Sequence, residues 1–135
     1  MNKFAVKFAP YVYAMMRIVV GLMFAMHGCQ KLFGIPGDKP SEALFSLMGL
    51  AGGIELVCGL LIAAGLFGGY AAFLASGQMA AAFFMVHCPH NFNSMVQFMP
   101  IVNKGELAVL YCFVFLFIAT RGGVMWCLDN EKIKE

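Results

Sequence analysis

Four apolar runs divide this chain, each close to the length that crosses a bilayer as a helix: about residues 11–33, 44–66, 70–86 and 106–126. Roughly 20 apolar residues in a helix span the hydrocarbon, because every backbone N–H and C=O is then satisfied within the segment. Gly34, Pro36, Gly37 and Pro40 stop the first run, and Ser41 with Glu42 resembles the start of the second helix. Phe67-Gly68-Gly69 is a minimal turn into the third, while a polar loop from His87 to Gly105 precedes the fourth. With 61% hydrophobic and 12% charged residues, the chain lacks the polar surface to cover such runs in water. The expected fold is all-α, an integral membrane four-helix bundle forming a single transmembrane domain over residues 1–135.

The placement of basic residues orients this bundle. Lys3, Lys7, Arg121, Lys132 and Lys134 flank the side holding both termini, against Lys31, Lys39 and Lys104 on the other. Lysine and arginine accumulate on the cytoplasmic side of membrane proteins, so both termini are expected in the cytoplasm. Tyr11, Tyr13, Tyr70 and Trp126 fall at that same interface, where aromatic belts form. Lys3 and Lys7 could also head a signal peptide, but Arg17 interrupts the apolar run and no small-residue cleavage site follows. The first helix is therefore expected to be retained. A net charge of +2 without a basic tract argues against nucleic acid as a partner; the lipid bilayer is the expected one.

Small residues let membrane helices approach closely. Gly49 with Gly53, and Gly65 with Gly69, form two G-x-x-x-G steps expected to serve helix packing. The five cysteines form no C-x-x-C pair, and four of them lie in or beside apolar runs, where cysteine acts as a small hydrophobe. Cys88, between His87 and Pro89, is the exception.

Ionisable groups inside apolar runs carry most of the functional signal, since each costs at least about 2.5–3.5 kcal/mol to insert. Arg17, Gly21, Phe24, Gly28 and Lys31 recur at alternating steps of four and three, a seam on one face of the first helix, with His27 one turn before Lys31. Arg17 and Lys31 lie near opposite ends and can snorkel. His27 is too short to snorkel and calls for an internal partner. Glu55 lies near the middle of the second run between Gly52 and Gly59, on the face suited to close packing. A carboxylate there needs a cation, which Arg17, His27 or Lys31 could supply. Such a pair can simply fix helix register, relay protons or hold a polar ligand. Gln78, at similar depth in the third helix, suits an interhelical hydrogen bond.

The polar loop adds His87-Cys88-Pro89-His90, where His87 and His90 offer two imidazoles to a metal. Such a site would still need further ligands, and interfacial histidines more often meet water. Glu106 has two readings. After Asn103 it can occupy the N3 position of a capping box, and by depth it joins His27, Lys31, His87 and His90 in the outer part of the bundle above Glu55.

Taken in order, Arg17-Ile-Val-Val-Gly21-Leu-Met-Phe-Ala-Met-His27-Gly28-Cys-Gln-Lys31-Leu-Phe-Gly34 resembles the first helix of DoxX-family membrane proteins. Gly52-Gly53-Ile54-Glu55-Leu56-Val57-Cys58-Gly59-Leu60-Leu61 resembles the second, and the third-helix histidine region, Gly105-Glu106 and Leu128-Asp129 follow the same order. The resemblance implies a four-helix bacterial inner-membrane protein. It also implies links to thiosulfate oxidation with quinone as acceptor, or to membrane complexes that handle thiol and oxidative stress. The family's polar positions fall here on Arg17, His27, Lys31, Glu55, His87 or His90, and Glu106.

Three functional expectations follow. The first is a redox-associated component, in effect an oxidoreductase subunit, that binds a quinone or small polar ligand in the outer half of the bundle. An imidazole and a carboxylate beside an apolar slot suit its proton-coupled chemistry. The chain has no Rossmann fingerprint, haem c motif or iron–sulfur cysteine pattern, so any electron carrier would be bound noncovalently or belong to a partner. The second is a non-enzymatic membrane subunit or assembly factor for a partner oxidoreductase. The third is a small-solute transporter, which at this size would act as a homo-oligomer.

Overall fold

The computed structural model describes residues 3–37, 40–88 and 95–129, and the described residues hold helices and no strands. Four long helices dominate: α1 (Lys3–Phe33), α2 (Leu47–Ala64), α3 (Gly68–Ala82) and, after the one-turn α4 (Pro100–Asn103), α5 (Glu106–Arg121). A π-helical turn, Phe83–His87, continues α3, and a 3-10 turn, Met95–Phe98, precedes α4. Among the described residues, three segments are long and apolar enough to cross a membrane: Val6–Phe33, Leu47–Ala64 and Gly68–His87. With 16 residues, α5 is shorter. It ends at Gly122, whose φ of 66° takes the chain out of the helix well before residue 126.

The start of α2 also differs from the sequence expectation. Ser46 rather than Ser41 caps the helix, its hydroxyl accepting from the Gly49 N–H at 3.0 Å. Gly65 closes the helix in the left-handed region, with the Leu66 N–H reaching back to the Leu61 carbonyl at 3.0 Å.

Glycines bring α1 and α2 together, though not those of the two G-x-x-x-G steps. A Cβ on Gly21 would lie 2.7 Å from the Gly59 carbonyl oxygen, and one on Gly28 would lie 2.6 Å from that of Gly52. Gly21 thus faces Gly59 and Gly28 faces Gly52, so two seven-residue glycine spacings run antiparallel with backbones touching. By contrast, Gly53 faces open space, and Gly49 packs under the Ala43–Leu44 backbone of its own approach loop. Gly65 serves the α2 terminus and Gly69 meets α5 only at ordinary van der Waals distance.

The second antiparallel pair is α3 with α5. The Ser76 hydroxyl donates to the Cys112 carbonyl at 2.8 Å, and Gly105 leaves room for the Phe83 ring where α5 begins. Phe24 of α1 closes the bundle against Phe115 of α5, ring centroids 4.7 Å apart. Ile62, Ala72, Ala75, Phe115 and Ile118 fill the centre. The outer faces are also apolar, with Leu22, Leu60, Phe73, Phe113 and Phe117 exposed. Apolar residues on both faces of every long helix suit lipid rather than water outside.

Past α5 the chain folds back under the end of α2. The Leu128 and Asp129 N–H groups donate to the Ala64 and Gly65 carbonyls at 3.2 and 3.0 Å, and the Asp129 carboxylate accepts from the Phe67 N–H. Tyr13 is buried rather than interfacial, donating to the Gly122 carbonyl at 2.8 Å, while Tyr11 and Trp126 meet edge to face at 6.0 Å.

Candidate functional site

Glu55 is only 2% exposed, eight residues past the first residue of α2 and hence about 12 Å along it. Its cation is Lys31, from the last turn of α1, with Nζ 2.5 Å from Oε1. Gly52 makes this approach possible, because a Cβ there would lie 2.9 Å from Lys31 Cβ. Gln78 of α3 donates from Nε2 to the same Oε1 and to the Ala51 carbonyl, both at 3.1 Å. One carboxylate oxygen thus ties three helices. Both Gln78 N–H groups point at acceptors, which fixes the amide orientation: a flipped amide would set oxygen against oxygen.

Among the described residues, three polar atoms around this junction are buried without a hydrogen-bond partner: Glu55 Oε2, Gln78 Oε1 and the Tyr111 hydroxyl. An orphaned buried polar group costs about 1–3 kcal/mol, so three around one junction, beside a fourth at Arg17 Nε elsewhere, need a reason. All three side chains line one cavity of about 370 Å³, set between the α1–α2 and α3–α5 pairs. Apolar residues make up most of its wall, among them Phe24, Met48, Met79, Ala82 and Leu107. A few convergent polar groups in a largely apolar cavity of this size is the usual form of a small-molecule site.

The π-helical turn forms part of the wall through Met85, Val86 and His87. Such turns re-aim side chains by widening one helical turn, and they recur at functional sites. His87 Nδ1 lies 3.1 Å from the Asn103 carbonyl oxygen; that pairing requires a proton on Nδ1 and leaves Nε2 to face other groups. His27 and Lys104 also border the cavity.

Several sequence candidates take other places. Arg17 does not reach Glu55 and does not snorkel: at 1% exposure it donates to the Ile62 and Ala63 carbonyls in the last turn of α2, and to the Met125 and Trp126 carbonyls at 3.3 and 2.8 Å. It neutralises the negative end of α2 and holds the returning C-terminal segment. His27 is exposed rather than internally paired, and its ring meets that of Tyr111 at right angles, centroids 6.2 Å apart. Glu106 is exposed at the first position of α5, so no capping box forms and it does not line the cavity; Asn103 Oδ1 accepts instead from the Gly105 N–H at 2.8 Å. His90, the partner of His87 in the metal reading, lies outside the described residues. Among those described, no three His, Cys, Asp or Glu side chains converge on a point.

Tyr111 is the cavity residue that sequence reasoning missed. A tyrosine in an apolar run resembles core filler, and it stacks on Phe115 at 5.3 Å as a core ring would. Its one cue was position, about one and a half turns into the fourth run at the depth of the outer polar residues.

Together these features define a small helical membrane protein in which a buried glutamate pairs with a half-buried lysine beside a cavity between the helix pairs. The chain belongs to the DoxX family, whose model matches residues 12–88. That stretch carries Lys31, Glu55, Gln78 and His87, while Tyr111 lies beyond it. An uncharacterized protein of Haemophilus influenzae is 39% identical over 133 residues, 96% of either chain. No solved structure matches.

Proposed function

We propose that the protein is a ligand-binding component of a bacterial inner membrane, taking an amphipathic molecule of the quinone class into the cavity above Glu55. The observation that carries this reading is that three side chains with an unsatisfied buried polar atom, Glu55, Gln78 and Tyr111, line one largely apolar cavity. A quinone head group carries two oxygens on a flat apolar ring, and its ring size suits about 370 Å³. The exposed apolar side chains of Leu47, Met85 and Leu107 border the cavity, giving a lipid-soluble ligand a route from the bilayer. Lys31 and Glu55 then position the head group and offer a charged, proton-bearing pair beside it. Any electron transfer would be completed by a partner oxidoreductase.

Occlusion of the cavity tests this. Ala82→Phe fills part of the space without replacing a polar group. Native mass spectrometry of protein purified in mild detergent is expected to find a quinone-sized adduct in wild type and at least roughly a tenfold loss in the variant, the scale of about 1.4 kcal/mol. Equal adduct in both would exclude the cavity.

In the same reading α5 is a fourth, short span, reached by local thinning of the bilayer or by tilt of its neighbours. Both termini then lie in the cytoplasm, as the distribution of lysine and arginine favours. Reporter fusions after residue 135 check this, and an extracytoplasmic signal overturns it.

A further inference from the structure

The buried hydrogen-bonding groups of the cavity are asymmetric. Glu55 Oε1 is saturated by Lys31 Nζ and Gln78 Nε2, and both Gln78 N–H groups are engaged, one by Glu55 and one by the Ala51 carbonyl. What remains unpaired among the cavity's buried atoms is Glu55 Oε2 and Gln78 Oε1, both acceptors, and the Tyr111 hydroxyl, which both donates and accepts; the further donors of its wall belong to Lys31, 30% exposed, and to the exposed His27 and Lys104. Neither acceptor can change character. An ionised carboxylate oxygen only accepts, and the Gln78 amide cannot flip without setting its oxygen against Ala51 O and Glu55 Oε1.

From this we infer that the cavity selects a head group with two hydrogen-bond donors, so that within the quinone class it binds the reduced hydroquinone in preference to the oxidised quinone. The two O–H groups of a hydroquinone donate to Glu55 Oε2 and Gln78 Oε1 after small side-chain rotations. A quinone presents carbonyl oxygens only; it leaves both acceptors unsatisfied and sets its own lone pairs against a carboxylate. Tyr111 serves either form and does not discriminate. The charge of the pair points the same way: Lys31 already neutralises Glu55, so the site calls for neutral donors rather than a second cation.

This inference rests on the proposed ligand class, and one experiment separates the two. A short-chain benzoquinone and its hydroquinone are titrated anaerobically into the full chain in mild detergent. The hydroquinone is expected to bind at least roughly tenfold more tightly, the factor that one or two net hydrogen bonds supply. Equal affinity, or tighter binding of the oxidised form, overturns the selectivity and leaves the ligand class standing. Binding of neither form overturns the ligand class as well. Glu55→Gln sharpens the result. Its amide oxygen still accepts from Lys31 and Gln78, so its NH₂ takes the place of Oε2 and turns an acceptor into a donor. The preference should fall by roughly threefold to tenfold, mostly through gained affinity for the quinone, and the part that Gln78 Oε1 supplies should persist. A preference unchanged in folded Glu55→Gln assigns selectivity elsewhere and overturns the inference. Gln78→Met, which deletes the other acceptor, gives the same test where Glu55→Gln is not recovered folded.

Discussion

Arg17 and Glu55 are both ionisable residues buried to within 2% in an apolar bundle, yet they do opposite things. Arg17 is spent on backbone carbonyls at the end of α2 and in the Met125–Trp126 segment, a structural clamp far along α1 from the cavity. Arg17→Met keeps the apolar stem and removes these charged hydrogen bonds. It is expected to destabilise the fold by about 2–4 kcal/mol in a detergent unfolding titration, from orphaned carbonyls and a lost helix-end charge. Quinone-class binding to the protein that remains folded should be unchanged, and a selective loss of binding would place Arg17 in the site. The sequence marked both residues, because a charge inside an apolar run stands out wherever it points. It could not tell their partners apart. Carbonyl acceptors leave no trace in side-chain identity, whereas a cation for Glu55 could be sought by charge, which put Lys31 among three candidates with Arg17 and His27.

Between helices, close approach is set by which glycines face each other, and spacing alone ranked them wrongly. The G-x-x-x-G pattern drew attention to Gly49, Gly53, Gly65 and Gly69, whereas the seven-residue spacings of Gly21–Gly28 and Gly52–Gly59 form the seam. The clue was present, since Gly21 and Gly28 lie on the face of Arg17 and Lys31, and Gly52 and Gly59 flank Glu55. Choosing among the glycines required the rotation of α2, which the pattern of this uniformly apolar helix does not supply. Gly59→Leu forces side-chain atoms into the α1 backbone and is expected to cost about 1–3 kcal/mol or more, while Gly53→Leu should change stability by less than about 0.5 kcal/mol. Thermal unfolding of the two variants in one detergent checks the contrast, and similar losses would dismiss the seam. The ends of α2 and α5 were misjudged for a related reason: Ser46 and Gly122 act as stops within runs whose hydropathy continues past them.

Across the whole molecule, two antiparallel helix pairs meet along the core but leave space where α1 and α3 end and α2 and α5 begin. Lys31, Glu55 and Gln78 come from three different helices, and Tyr111 from the fourth, so the cavity exists only once the bundle has closed. Depth along each run therefore brought most of these residues to the right level from sequence. The omission of Tyr111 and the inclusion of Glu106 both came from facing directions that depth does not determine. What the bundle holds in that space is the central question, and a crystal structure grown from a lipidic mesophase answers it directly. The expected result is ring-shaped density in the cavity, its polar end about 3 Å from Glu55 Oε2 or Gln78 Oε1. A cavity collapsed onto its own side chains, or filled by ordered water alone, would contradict it.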